Sequence, residues 1–211
     1  MSRRRKSKTN RGNPFVVALL TLAILVGLYH LNHRHQPGAP RQSSDRFETL
    51  ENCHLIDHRN NDGDSFHVEH KGKTYEFRLY YVDCPEKRRH QYNGDRLAEQ
   101  GLALGNLSER ETIKVGEAAK KFTENMLEER AFTVTTKWES VFRSGRYYAF
   151  VSTPALGSDH RFLHESLVTR GLARIHTKGV NLPDGTPWKR QRAHLKELEK
   201  IARSKQLGAW K

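Results

Sequence analysis

Between Tyr75 and Val82 the chain runs with a period of two. Tyr75, Phe77, Leu79 and Tyr81 fall on one set of positions, and Glu76, Arg78, Tyr80 and Val82 on the other. Such alternation fits a strand with two distinct faces and does not fit a helix, whose period is 3.6. It sets Arg78 on the face opposite Phe77 and Leu79, so a charged side chain lies back to back with a core.

Similar short runs flank this one. Cys53 to His58 reads as a first strand, Asp62-Gly63 as a turn, and Phe66 and Val68 as the next strand, with Lys71-Gly72 turning into the alternating run. Phe132, Val134, Thr136 and Trp138 alternate, as do Tyr147, Ala149 and Val151. Helical spacing appears between them. Val115, Ala119, Phe122 and Met126 predict a helix from Gly116 to about Arg130. A second helix is predicted from Arg161 to Arg170, with Leu163 and Leu167 inward and Gly171 as its stop. A third follows Pro187, which suits a first helical turn, and carries Leu195, Leu198 and Ala202 on one stripe. The fold class expected is α+β: a five-stranded antiparallel β-barrel of the OB type with three packed helices. Many OB barrels bind nucleic acid, but the fold alone does not set function.

The N-terminus is of another kind. Arg3, Arg4, Arg5, Lys6, Lys8 and Arg11 form a basic cluster, and Phe15 to Leu31 follow without a charge. That run is as long as the shortest bilayer-spanning helices, which need ~17–25 residues. Basic residues ahead of it favour a cytoplasmic N-terminus, with the rest of the chain on the far side of the membrane. A retained anchor and a cleaved signal peptide both fit; His30 to His35 holds no small-x-small cleavage pattern, which favours the anchor. Residues 1–31 are therefore expected to form a membrane-targeting, transmembrane segment. Residues 32–48, polar and carrying Gly38, Pro40, Ser43 and Ser44, read as a linker, and residues 49–211 as one folded domain.

Charge narrows the partners. The 211 residues carry a formal net charge of +13, which points to a polyanion: nucleic acid, anionic lipid or both. Two cysteines, Cys53 and Cys84, exclude a disulfide-rich scaffold and a four-thiolate zinc site, and leave open whether the two pair. The twelve histidines show no zinc-ligand spacing.

Four short patches carry chemistry: Asp62-Gly63-Asp64-Ser65, Phe77-Arg78-Leu79, Val82-Asp83-Cys84-Pro85-Glu86 and Gly145-Arg146. Alone, each has a bland reading: a turn, a solvated arginine, a capped turn, a common dipeptide. Together they supply what phosphodiester cleavage needs, namely an oxygen-binding cation, a group to position or deprotonate water, and positive charge for the phosphorane. Asp64 and Asp83 are hard oxygen ligands suited to calcium or magnesium. Glu86 suits the water. Arg78 and Arg146 suit forked contacts with phosphate oxygens.

In order and spacing these patches resemble the staphylococcal nuclease (thermonuclease-like) family, with Phe77 to Glu86 the most specific stretch. Leu163 to Ala173 resembles that family's second helix, and the likeness runs over residues 50 to 211. It implies an endonuclease that hydrolyses DNA or RNA with little sequence preference and leaves 3′-phosphate ends. It also implies calcium bound by Asp64, Asp83 and the backbone carbonyl of Cys84, with Arg78, Glu86 and Arg146 catalytic. Three departures stand out. Lys87 to Thr112 is long for the connection before the family's first helix; with Lys87, Arg88, Arg89 and Tyr92 it reads as a nucleic-acid contact, a lid or a surface insertion. Arg174 to Gly179 lacks the tyrosines on which the type member stacks its nucleotide, which leaves Trp188 as a candidate platform. Arg143-Ser144 precedes Gly145-Arg146 without the type member's tyrosine. Two other functions compete: a catalytically inactive module that only grips nucleic acid at the membrane, and a basic protein that serves anionic lipid. The complete acid-and-arginine set favours the nuclease.

Overall fold

The computed structural model describes residues 36–211, Glu129 and Arg143 excepted. The expected membrane segment, residues 15–31, lies outside the described residues. Among those described, no helix is long and apolar enough to cross a membrane.

Five strands make the barrel: β1 (Glu48–Leu55), β2 (Ser65–His70), β3 (Lys73–Leu79), β5 (Phe132–Ser140) and β6 (Arg146–Ser152). A two-residue β4 (Val82–Asp83) pairs outside it with β7 (Arg174–Ile175). The helices are α1 (Gly94–Ala103), α2 (Glu109–Leu127), α3 (Leu163–Thr169) and α4 (Trp188–Ser204).

Around the barrel the order is β3-β2-β1-β5-β6, every neighbour antiparallel, and β3 then pairs with β6 to close it. That last pairing is parallel. The expectation of a wholly antiparallel barrel is corrected here, and the reason is parity: five strands that alternate in direction leave the first and last pointing the same way. The closing register sets Glu76 opposite Arg146 and Arg78 opposite Tyr148, so both sequence-predicted arginines lie on one seam. The barrel interior is filled by Phe66, Val68, Phe77, Leu79, Val134, Ala149 and Val151, all essentially buried, while Phe150 lies on the opposite face of its strand and packs against Phe162 and His164.

The expected strand over residues 75–82 is real but shorter. β3 ends at Leu79, because Tyr81 takes a φ of 72° and turns the chain. Tyr81 N–H donates to the Lys178 carbonyl at 3.0 Å, and its own carbonyl accepts from His176 N at 2.9 Å. The turn aims Val82 and Asp83 at β7, with Asp83 opposite Arg174.

Among the described residues there are four α-helices, the three expected and one more. The additional one, α1, lies in the Lys87–Thr112 stretch. α2 also begins at Glu109 instead of Gly116, since Ser108 and Glu111 form a capping box: Glu111 N donates to Ser108 Oγ at 3.4 Å and Ser108 N to Glu111 Oε2 at 2.9 Å. Residues from Gly38 on, read as linker, run along the barrel; Arg41 N donates to Tyr147 Oη at 2.9 Å and Ser44 N to the Lys137 carbonyl at 2.8 Å.

Candidate phosphodiester-cleaving site

Two glycines let the functional loops approach α2. A Cβ on Gly116 would meet the carbonyl oxygens of Pro85 and Glu86 at 2.5 and 2.6 Å, so only glycine lets the helix run beneath the Val82–Glu86 turn. A Cβ on Gly63 would meet Ala119 Cβ at 2.7 Å and Cys84 Sγ at 2.8 Å. The Gly63 carbonyl accepts from Thr123 Oγ1 at 2.7 Å, which pins the Asp62-Gly63-Asp64 turn to the same helix.

Asp64 is thereby held inside. Its Oδ2 accepts from Cys84 N at 2.6 Å, its Oδ1 accepts from Ser65 Oγ at 3.0 Å, and Arg78 Nη2 lies 3.3 Å from Oδ2. Burial pushes its carboxyl above the usual range, and the Arg78 guanidinium opposes that push. Arg78 reaches across to Asp83 Oδ1 at 2.6 Å and to Ser65 Oγ at 3.2 Å. Burial works against its charge, but the Asp64 and Asp83 carboxylates outweigh burial and keep it protonated.

Asp83 is the most heavily contacted group in the site. Oδ1 accepts from Arg78 and from Arg96 Nη2 at 2.7 Å; Oδ2 accepts from Arg174 Nε at 2.8 Å and Gln100 Nε2 at 3.0 Å. Burial raises this carboxyl, yet Arg96, the Gln100 amide, Arg78 and Arg174 together hold it below its ordinary value. Two neighbouring carboxylates are thus driven in opposite directions by their surroundings.

Glu86 is half-buried. Its Oε1 pairs with Arg96 Nε at 2.7 Å, and its backbone N–H donates to Gln100 Oε1 at 3.1 Å. Arg146 is half-buried as well, with Nε donating to Ser144 Oγ at 3.1 Å and lying 4.0 Å from Glu76 Oε1.

These side chains converge. A cavity of about 240 Å³ is lined by Asp62, Asp64, Arg78, Glu86, Arg96 and Arg146, with the exposed Tyr92 at its rim. A larger groove of about 570 Å³ shares Arg78, Arg96 and Arg146 with it and continues past Tyr148, His176 and Lys178. On its edge stands Phe142, a residue 91% exposed. Trp188, a candidate stacking platform in the sequence, sits at the start of α4 and lines neither space.

Sequence reasoning missed the contribution of α1. Gln100 alone contacts three of the motif's residues: Nε2 donates to Asp83 and, at 3.1 Å, to the Cys84 carbonyl, while Oε1 accepts from Glu86 N. Arg96 lies one turn earlier on the same face. The signal available was that i, i+4 pair beside the buried Leu97 and Leu104. Arg174 was passed over too, as part of a stretch noted for lacking aromatics. Both cysteines are free. Burial pushes the Cys53 thiol to about 12 and the Cys84 thiol well above its ordinary value, so neither is a ready thiolate.

Calcium takes oxygen ligands, several of them charged. Asp64 and the Cys84 carbonyl offer such oxygens, and Asp62 and Glu86 share the cavity with Asp64, so the donor chemistry fits the ion. Among the described residues no three His, Cys, Asp or Glu side chains cluster closely enough to hold a metal on their own. A bound ion would draw on backbone and solvent oxygen as well, and Asp83 would join it by releasing one of its four donors.

Comparison with known proteins agrees with this geometry. A family model described as "Staphylococcal nuclease homologue" matches residues 76–211. No curated protein matches the chain.

Proposed function

The chain belongs to the staphylococcal nuclease homologue family, and from that premise we propose that it is a calcium-dependent endonuclease that hydrolyses DNA or RNA with little sequence preference. The observation that carries this reading is the convergence of Arg78, Arg146, Glu86 and Asp64 on one cavity of about 240 Å³. Arg78 and Arg146 grip the non-bridging phosphate oxygens in a fork and meet the charge that grows on them. Glu86 positions a water and accepts its proton as that water adds to phosphorus. The bond from phosphorus to the 5′ oxygen breaks, that oxygen leaves as a hydroxyl with a proton from solvent while Glu86 returns its proton to solvent, and the phosphate stays on the 3′ side. Calcium, held by Asp64, Asp83 and the Cys84 carbonyl, would supply Lewis-acid stabilisation of the same charge.

Low sequence preference follows from what lines the groove. Its arginines and Lys178 address phosphate, which carries no sequence information. Phe142 offers a face to any base. Residues 15–31 would hold this domain on the far side of a membrane, a reading carried by the apolar run and the basic cluster ahead of it. Resistance to carbonate extraction and protease access from outside would support it, whereas a soluble chain lacking its first thirty residues would show a cleaved signal.

Cleavage of single- and double-stranded DNA by the full-length chain, with calcium and then with a chelator, tests the activity. Glu86→Gln should lose about 10²–10⁴-fold in rate, the usual worth of a general base. DNA binding without cleavage under every divalent metal tried would make the protein a binding module instead.

A further inference from the structure

Three guanidinium groups touch Asp83, and they are not alike. The side chains of Arg78 and Arg174 are only 10% and 8% exposed, whereas that of Arg96 is 43% exposed. Arg96 is also the only one of the three that pairs with Glu86, through Nε at 2.7 Å. It stands where the two open spaces meet, lining the cavity beside Glu86 and the groove beside Lys178. Its helix does not drift, because Gln100, one turn on, is hydrogen-bonded to Asp83, Cys84 and Glu86.

Resting on the nuclease reading, we propose that Arg96 is a third phosphate-binding guanidinium, which leaves Glu86 and Asp83 for a phosphate of the incoming strand and so frees Glu86 for water. The exchange is feasible on three grounds. The Arg96–Glu86 pair is open to solvent, with side chains 43% and 23% exposed, and contributes little on its own, since water competes for both partners. Asp83 keeps Arg78, Arg174 and Gln100 after Arg96 departs, so no buried charge is stranded. A phosphodiester offers two acceptor oxygens to a planar fork, so one phosphate can take both nitrogens that now serve separate carboxylates, Nη2 on Asp83 and Nε on Glu86. The inserted helix α1 thereby couples arrival of substrate to release of the residue that handles the water.

The test is binding of a fluorescent single-stranded DNA by the full-length chain in chelator, where no cleavage occurs, followed by anisotropy at several salt concentrations. Arg96→Ala should weaken binding about tenfold and lower the slope of log affinity against log salt by about one, as loss of one phosphate contact does. Arg96→Lys should restore the slope. Arg96→Gln, which keeps a donor for both carboxylates but no charge, should show the same loss of slope as alanine, and it carries the test if alanine does not fold. Parental affinity and slope in a folded Arg96→Ala or Arg96→Gln protein would overturn the assignment. Unchanged binding with faster cleavage would also overturn it, by making Arg96 an inhibitory clamp. A parent that neither binds nor cuts DNA would sink the nuclease reading itself; a parent that does both beside an unaffected variant sinks only this one.

Discussion

Arg174 Nε donates to Asp83 Oδ2 at 2.8 Å across 91 residues of sequence, and Nη1 of the same guanidinium donates to Glu99 Oε1 at 2.9 Å. One side chain thus joins β7 to the Val82–Glu86 turn and to α1. Because the Asp83 contact is buried, Arg174→Ala should destabilise the domain by about 2–4 kcal/mol, somewhat less than outright breakage of a buried pair, since Asp83 retains other donors. At this size that is a fall in Tm of roughly 5–12 °C. Arg174→Lys should not restore the loss, because an ammonium cannot serve two carboxylates from the positions of Nε and Nη1. Thermal melts of both variants decide the matter; a melt equal to the parent's would show the contact to be idle.

The two sequence-predicted arginines should separate by experiment. Arg78 is buried between Asp64 and Asp83 and Arg146 stands half in solvent. Arg78→Ala should therefore lose both cleavage and about 3 kcal/mol or more of stability, since it leaves two buried carboxylates short of a partner. Arg146→Ala should lose cleavage at a Tm within about 2 °C of the parent, the usual outcome away from a buried network. Equal melting of the two variants would contradict the burial difference.

Phe142 predicts a preference for unpaired strands. An aromatic face open on the rim of the groove can stack on a base only when that base is free of a partner. Phe142→Ala should weaken binding of single-stranded DNA by about 1–2 kcal/mol, roughly five- to thirtyfold, and leave double-stranded binding nearly unchanged. Equal losses on both substrates would assign the residue to backbone contact.

Acid sensitivity should centre on His164. It is fully buried on α3 between the rings of Tyr81 and Phe162, with Nε2 3.1 Å from Gln191 Nε2. Burial drives its pKa from 6.5 down to about 4; Glu165 pulls the other way, and His194 and His160 add to the downward shift. The unfolded chain therefore takes up a proton that the folded chain refuses. Stability is full above about pH 6.5 and falls as pH drops toward 4, by on the order of 3 kcal/mol in all. Denaturant melts at pH 7 and pH 5 should differ by less in His164→Gln; an unchanged difference would remove His164 as the cause.

Most of the acidic and arginine positions were legible in the sequence because their type and spacing are local: Arg78 and Asp83 lie on β3 and β4, and Asp64 and Glu86 in the turns beside β2 and β4. The barrel was legible for the same reason, since a period of two survives in any window that holds a strand. What escaped is what only the closed fold brings together. Gln100 has no motif, and its three hydrogen bonds depend on how α1 docks. Arg174 is one of many arginines until β7 pairs with β4. The first turns of α2 escaped for a different reason: the apolar stripe was traced from Val115, while the start of the helix is set by polar capping at Ser108.

The parallel seam between β3 and β6 has a consequence for a cell that makes this protein. Arg78 and Arg146 come together only when that seam forms, and α1, α2 and β5 must be synthesised between the two strands. A growing chain that carries Asp64, Arg78, Asp83 and Glu86 still lacks Arg146. The candidate site therefore assembles late in translation, and on the proposed nuclease reading a ribosome, itself built largely of RNA, does not meet a complete phosphate grip while most of the chain is being extended.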